Sequence, residues 1–350
     1  MASPPSAAVR AAIEDVSCLT CGGDAFEVIC SAAEVNAHHA YLLRFHTRRL
    51  RRKPDGGVPQ EVLEDRAVFS QDYATDIVSC VRCGLVLRNP RLTAAAVIQR
   101  YAREHYEPEF LEAAFDGQRA FARAKAATLA RWLPEDRQVH IVEVGSFVGG
   151  FLAAGHERGW SMLGVDPGRD VNAFCRERGL PVYRGTLGDA PLEPRSLDAI
   201  AIWNTFDQLP DPRPTVKAAR RLLRPGGILA IRVPNGACFR SAEGLIKRLP
   251  RPLRGWMRAA MAWNNLLTFP YLYGYSVPIL DRLIRPPMQR VTVVPDTLVP
   301  LADRHTKRWA AVEERMLKGL TRIIAGIEGR RTGDPAAFAP WIDVYYRTAG

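Results

Sequence analysis

The sequence predicts an α/β protein built on a doubly wound, mainly parallel seven-stranded sheet, with a small separate N-terminal module. Three observations carry that expectation. From Val139 onward, apolar runs of strand length alternate with helical segments. The stretch IVEVGSFVGGFL, residues 141–152, ends a strand on an acid and turns through Gly145, Gly149 and Gly150 into a helix. Ahead of both stand two C-x-x-C pairs, CLTC (Cys18, Cys21) and CVRC (Cys80, Cys83), the spacing of a zinc ribbon.

Taken in order, residues 1–16 read as a flexible tail. Residues 17–90, bracketed by the cysteine pairs, form the N-terminal module, with a basic helical insertion, AEVNAHHAYLLRFHTRRLRRK, that ends at the turn signal PDGG. Residues 91–136 read as a helical linker or cap: Thr93 caps AAAVIQRYAREHY, and GQRAFARAKAATLARWL stops at Pro134. Residues 137–236 form the core of the sheet. VHIVEV, MLGVD, LPVYRG, LDAIAIW and GGILAIRVPN are strands, and GGFLAAGHERG, DVNAFCRERG and DPRPTVKAARRLL are helices between them. Helices between strands require crossovers, hence parallel pairing. Residues 237–288 are an aromatic and basic insertion, expected to cap an acceptor pocket, and 289–350 supply two last strands, QRVTVVPD and WIDVYYR.

The glycines at 145, 149 and 150 do not fit the G-x-G-x-x-G of a dinucleotide site. Glu143 stands at the mouth of the loop, where it repels a pyrophosphate but suits a ligand carrying an ammonium and a sulfonium. Asp166 closes the second strand 23 residues later, placed to accept hydrogen bonds from ribose hydroxyls. With EVGSFVGG, GVDPG, YRGTLGDAPLEPRSLDAIAIWNTFDQLPDP and RRLLRPGGILAIRVPN in this order, residues 139–234 resemble the class I S-adenosylmethionine-dependent methyltransferases, whose fold is Rossmann-like. The resemblance implies that Glu143, Gly145 and Ser146 face the methionine part of the cofactor and that Gly149 lets the backbone approach. It also implies that Asp166 holds the ribose, that Thr186 and Leu187 flank the adenine, and that Asn204 and Phe206 close the pocket. Two positions depart from the family pattern. Phe147 stands where a glycine is common, so its side chain must point away from the cofactor or reshape the loop. Asp207-Gln208 replaces a Glu-His pair, which removes a histidine base. Methyl transfer from a sulfonium needs alignment and exclusion of water more than it needs a base. Asp207 and Tyr271 are the leading candidates for taking a proton, with Tyr273 and Tyr275 beside them.

Four thiolates at C-x-x-C spacing suit a closed, structural zinc site at Cys18, Cys21, Cys80 and Cys83, although the 58 residues between the pairs must then form a subdomain of their own. Cys30, Cys175 and Cys238 read as apolar packing. CVRCGLVLRNPRLTAAAVIQRYAREHY resembles the entry to a subgroup of these methyltransferases with an N-terminal zinc module, in which Tyr101 and Tyr106 match tyrosines that reach toward the cofactor. That subgroup includes C-methyltransferases of nucleotide-linked deoxysugars. Their histidine-rich fourth-strand end is missing here, so the sugar assignment is not carried over.

Composition is that of a globular protein: 350 residues, 47% apolar and 24% charged, with a formal charge of +11. Only six of the 48 basic residues are lysine, a bias that genome composition also produces. The N-terminus has no apolar core of signal-peptide length, and the uncharged run Ala259–Leu280 is broken by Asn, Pro and Gly, so a cytoplasmic, non-spanning chain is expected. The favoured acceptor is a small molecule such as a natural product, glycan or sugar intermediate. RNA is the alternative, given the zinc module and basic charge, but NTFD replaces the Asn-Pro-Pro-aromatic run of base N-methylation sites. Residues 240–290 hold nine Arg or Lys against two acids, a pattern that also permits peripheral contact with anionic lipid.

Overall fold

The computed structural model describes residues 12–54, 56–67, 75–103, 105–334 and 336–349. Most of the expected tail and Asp55 of the turn signal PDGG lie outside them. The chain divides into two compact units. One gathers the chain up to Leu92 with Pro234–Leu280 and Val293–Ile342; the other holds Thr93–Val233, Asp281–Thr292 and Asp343–Gly350.

The second unit is organised by a seven-stranded sheet. Across it lie Gln289–Asp296, Trp341–Arg347, Leu223–Pro234, Leu197–Trp203, His140–Val144, Ser161–Asp166 and Val182–Arg184. The strand His140–Val144 pairs in parallel with Ser161–Asp166 on one side and with Leu197–Trp203 on the other. Leu197–Trp203 also pairs in parallel with Leu223–Pro234, and Ser161–Asp166 with Val182–Arg184. All seven residues of LDAIAIW are buried, as a strand covered on both faces requires. Thr93 does cap the helix Ala94–Arg103, its Oγ1 accepting the N–H of Ala96 at 3.2 Å. The next helix, Pro108–Ala130, lies against Gly150–His156, and a Cβ at Gly150 would stand 2.8 Å from that of Gln118, so the glycine permits the approach. A buried ion cluster ties the last strand to the rest: Arg232 Nη1 donates to Asp343 Oδ1 at 2.8 Å, and Lys125 donates to the other carboxylate oxygen. Removing one partner of such a buried set costs about 3–5 kcal/mol because a charge is left stranded.

The first unit contains a four-stranded sheet in the order Tyr273–Gly274, Val86–Arg88, Ile77–Cys80, Phe26–Cys30, with each neighbouring pair antiparallel. The basic helix runs Ala32–Arg49, opened by a capping box in which Ser31 and Glu34 satisfy each other's backbone. Leu42 and Phe45 on its inner face join Phe239, Trp263, Phe269, Ala310 and Leu317 in one apolar core. The expected N-terminal module, 17–90, and most of the expected insertion, through Leu280, fall in this one unit and share a core and a sheet. The physical reason is burial: the helix Ala32–Arg49 has an apolar face that the N-terminal segment alone is too short to cover. Ile13–Glu14, expected within the tail, pairs with Arg91–Leu92.

Candidate functional site

The glycine loop sits where the strand His140–Val144 hands over to the helix Gly150–His156. Gly145 and Gly149 are both left-handed, at φ 73° and 75°. A Cβ at Gly145 would lie 2.1 Å from Thr205 Oγ1, so no other residue fits. Phe147 also takes the left-handed region, at φ 45°, a strained choice for an aromatic residue. Two contacts hold it there. Its N–H donates to Asp166 Oδ2 at 3.0 Å, and its ring meets Tyr106 edge-on, centroids 5.5 Å apart. The bulky residue is thus held in a left-handed conformation and leans on Tyr106. His105 Nδ1 and the Tyr106 N–H both reach Asp170 Oδ2, at 2.6 and 3.4 Å, fixing that tyrosine beside the loop. Sequence reasoning missed Asp170; its place in the first turn after GVDPG was the available signal.

Asp166 uses both carboxylate oxygens on the loop, accepting Phe147 N–H and, through Oδ1, Gly168 N–H at 2.8 Å. Each oxygen keeps a second acceptor site. Glu143 is buried and its Oε2 has no hydrogen-bond partner; Ser146 Oγ, also buried, has none either. Burial first, and the charge of Asp166 second, push the Glu143 carboxyl well above the usual carboxylate range. Burial also raises Asp166, against the two N–H bonds that lower it. Two neighbouring acids in a dry place, one with an unmatched oxygen, form a site that gains from a cation.

The remaining predicted residues divide. Leu187 is buried, whereas Thr186 is exposed and its hydroxyl donates to Asp189 Oδ2 at 2.6 Å. Asn204 is left-handed at φ 58°, and its side-chain oxygen accepts Arg232 Nε at 3.0 Å, which links the fourth-strand end to the buried ion cluster. Phe206 is fully buried in the 3-10 turn Phe206–Gln208. Asp207 follows it, also buried, with no partner for Oδ1; burial pushes its carboxyl up to about 8. Gln208 accepts from the Tyr101 hydroxyl and donates to Asn204 O at 2.7 Å. Tyr101 therefore engages the glutamine that follows Asp207. Tyr271, Tyr273 and Tyr275 are buried in the other unit, where Tyr273 pairs with Arg91, so the sequence candidates Asp207 and Tyr271 belong to different units.

In the unit of the cysteines, the four predicted sulfurs converge. Cys18 and Cys83 stand 3.4 Å apart, Cys21 and Cys80 3.5 Å, and all four sulfurs lie within 4.8 Å of one another. Zn–S bonds of about 2.3 Å place tetrahedral sulfurs about 3.8 Å apart, which this set meets with little movement. Both knuckles turn through a left-handed glycine, Gly22 and Gly84, whose N–H groups donate to Cys18 O and Cys80 O at 2.8 Å. A second group, Cys30, His38 and Glu243, is fully buried nearby in the same unit. Its histidine reads differently: Nδ1 is 2.9 Å from Leu267 O, a bond in which only a protonated nitrogen can donate, so it lies 3.9 Å from both Cys30 Sγ and Glu243 Oε1 without a lone pair to offer.

Comparison with known proteins bears on the sheet unit. Residues 142–231 match the family described as a methyltransferase domain. Over 123 residues the chain is 30% identical to a ubiquinone biosynthesis O-methyltransferase of Methylococcus capsulatus, covering 31% of this chain and 52% of that protein. It thus spans about half the length of that relative. Among solved structures, a methyltransferase of Archaeoglobus fulgidus is similar at 15% identity, covering 69% of this chain and 100% of that one, with a TM-score of 0.42. Another, from Thermotoga maritima, is similar at 16% identity over 73% and 98%, also with a TM-score of 0.42. The residues matched by the methyltransferase domain family run from the strand before the glycine loop to Ile231 and include Glu143 and Asp166. No helix among the described residues is long and apolar enough to cross a membrane.

Proposed function

We propose that this chain is an S-adenosylmethionine-dependent methyltransferase acting on a small-molecule acceptor, with a structural zinc ion held by Cys18, Cys21, Cys80 and Cys83. The single observation that carries the reading is the unmatched Oε2 of Glu143, buried beside Asp166 at the end of a loop with two left-handed glycines. Bound S-adenosylmethionine would supply a methyl group already activated on a sulfonium. Glu143 and Ser146 would hold its methionine part, Asp166 its ribose, and Leu187 would flank the adenine. Phe147 and Tyr106 would exclude water from that side. Asp207, protonated up to about pH 8, holds a proton near neutrality, so it accepts one from an acceptor only in the upper part of the pH range.

Calorimetry with S-adenosylmethionine and its demethylated product tests the reading. Burial and the charge of Asp166 raise Glu143 in the free chain and so favour its protonated form, whereas a bound cation favours the ionised form. Binding should therefore release a proton, and affinity should rise with pH until the free site is itself ionised. Absence of binding at millimolar cofactor sinks the assignment. Methyl transfer from labelled cofactor into fractionated extract, read by mass, then identifies the acceptor class; label in RNA instead of small molecules overturns that part alone.

A further inference from the structure

The helix Arg308–Thr332 carries two apolar faces, and only one is buried. Ala310, Leu317 and Ala325 turn inward with the paired Glu314 and Lys318. On the opposite side, Trp309, Val312, Met316, Leu320, Ile323 and Ile327 form a second stripe, each between 49% and 63% exposed. Spacings of three and four residues keep that stripe on one side for about 27 Å. Isolated exposed apolar residues need no explanation, but a continuous row of this length does.

The charges beside the stripe say what covers it. Arg308, Arg315 and Arg322, all exposed, recur every seven residues along one margin, Arg322 also facing Asp296 at 3.7 Å, and Arg330 follows at the C-terminal end. The acids of the helix are engaged elsewhere. Glu313 takes Arg49 at 2.6 and 2.7 Å and Trp263 Nε1 at 3.0 Å; Glu314 takes Lys318 and the N–H groups of Leu301 and Ala302; Glu328 faces Arg331 at 3.5 Å. An apolar stripe edged by arginine is complementary to acyl chains below anionic headgroups. A second copy fits poorly. Two-fold antiparallel pairing of the helix sets each margin against itself, arginine facing arginine. Parallel pairing sets the arginines against a margin whose acid, Glu313, is already taken. The helix Arg251–Trp263, which packs on this one, also exposes Leu253 and Trp256, at 55% and 60%.

We propose that the helix Arg308–Thr332 is a membrane-surface binding element, lying on bilayers that contain anionic lipid through its Trp309–Ile327 stripe. The proposal is independent of the methyltransferase reading, since it concerns a different unit.

Flotation of the full chain with vesicles tests it. Phosphatidylcholine vesicles with phosphatidylglycerol should carry about ten-fold more protein than phosphatidylcholine alone, and high salt should weaken the effect. Met316→Glu with Ile323→Glu should abolish flotation, while Arg308→Gln, Arg315→Gln and Arg322→Gln together should remove its preference for anionic lipid. All five positions are exposed, so the fold should survive, and an unchanged melting temperature verifies this. Equal flotation of wild type and the glutamate variant, or none by wild type, overturns the proposal. So does a wild-type dimer in light scattering that the same glutamates dissociate.

Discussion

Two buried glutamates, one in each unit, show how different surroundings give the same residue opposite meanings. Glu143 and Glu243 are both nearly inaccessible, each has an oxygen without a hydrogen-bond partner, and burial raises both carboxyls. Glu143 looks at Asp166, a second acid, so its environment worsens when it ionises. Glu243 stands 3.9 Å from the His38 ring and feels the positive charges of Lys247 and Arg258, so its raised value stops at about 7. The first arrangement is left incomplete by the protein's own atoms; the second is partly completed by neighbours. A site awaiting a cation and a site that is merely expensive to bury are thereby told apart by what faces the carboxyl, not by burial.

The largest expected effect tests whether the unit holding Glu243 depends on metal. Cys80→Ser, or chelation of the wild type, should remove about one zinc per chain and unfold the cysteine unit, because the binding energy of a structural zinc is folding energy. The measurement is metal content beside far-ultraviolet circular dichroism. A chain that keeps its melting curve after complete chelation breaks the reading of the four sulfurs.

Next in size is Glu143→Gln. Losing a charge-assisted contact in a buried site costs about 1.5–3 kcal/mol, so cofactor affinity should fall roughly ten- to a hundred-fold. The apo chain should be no less stable, since the amide has no charge to bury. An affinity loss matched by equal destabilisation would mean the residue serves the fold and not the ligand. Glu243→Gln should behave in the opposite manner, leaving cofactor affinity unchanged and altering stability with pH. Its carboxyl is raised in the folded chain, from 4.5 to about 7. The folded state therefore holds a proton that the unfolded state releases, and this stability is complete below the unfolded value and lost as pH rises through the folded one. Between about pH 5 and 7 the wild type should lose stability relative to the glutamine variant, by about 3 kcal/mol at pH 8. Parallel melting curves across that window would end the comparison.

Much of the sheet unit was legible because its strands are uninterrupted apolar runs and its glycines sit where φ must be positive. LDAIAIW and WIDVYYR could be placed by texture alone. What could not be read were pairings decided far along the chain. Arg232 lies inside an apolar strand, and its partner Asp343 comes 111 residues later, so nothing local explained the charge. The two-residue strand Tyr273–Gly274 completes the cysteine sheet against Val86–Arg88 although its sequence has no strand-length pattern. Sequence pattern alone therefore does not join the insertion to the N-terminal module. At the site, Glu143 and Asp166 were visible as acids ending strands, whereas the left-handed Phe147 and its support by Tyr106 follow from a loop geometry that residue types do not disclose.

The smallest effect concerns Gln208, the last residue of the 3-10 turn. Its amide is held on two sides, by the Tyr101 hydroxyl and by Asn204 O, and Asn204 is in turn bonded to Arg232. The chain from Tyr101 to the buried ion cluster thus fixes the fourth-strand end from outside, as Asp166 fixes the glycine loop from within. Tyr101→Phe removes one neutral hydrogen bond and leaves the ring, so stability should fall by about 1 kcal/mol. Cofactor affinity should hardly change, because Glu143, Ser146 and Asp166 do not depend on that bond. Methyl transfer is the informative readout: if the amide orients an acceptor, turnover should fall several-fold while KM for cofactor holds, and Gln208→His should not restore it, since imidazole cannot both accept from Tyr101 and donate to Asn204 O with the amide's geometry. Full turnover in Tyr101→Phe would confine the tyrosine to a packing role and leave Asp207 as the only polar side chain of the turn with a part in the chemistry.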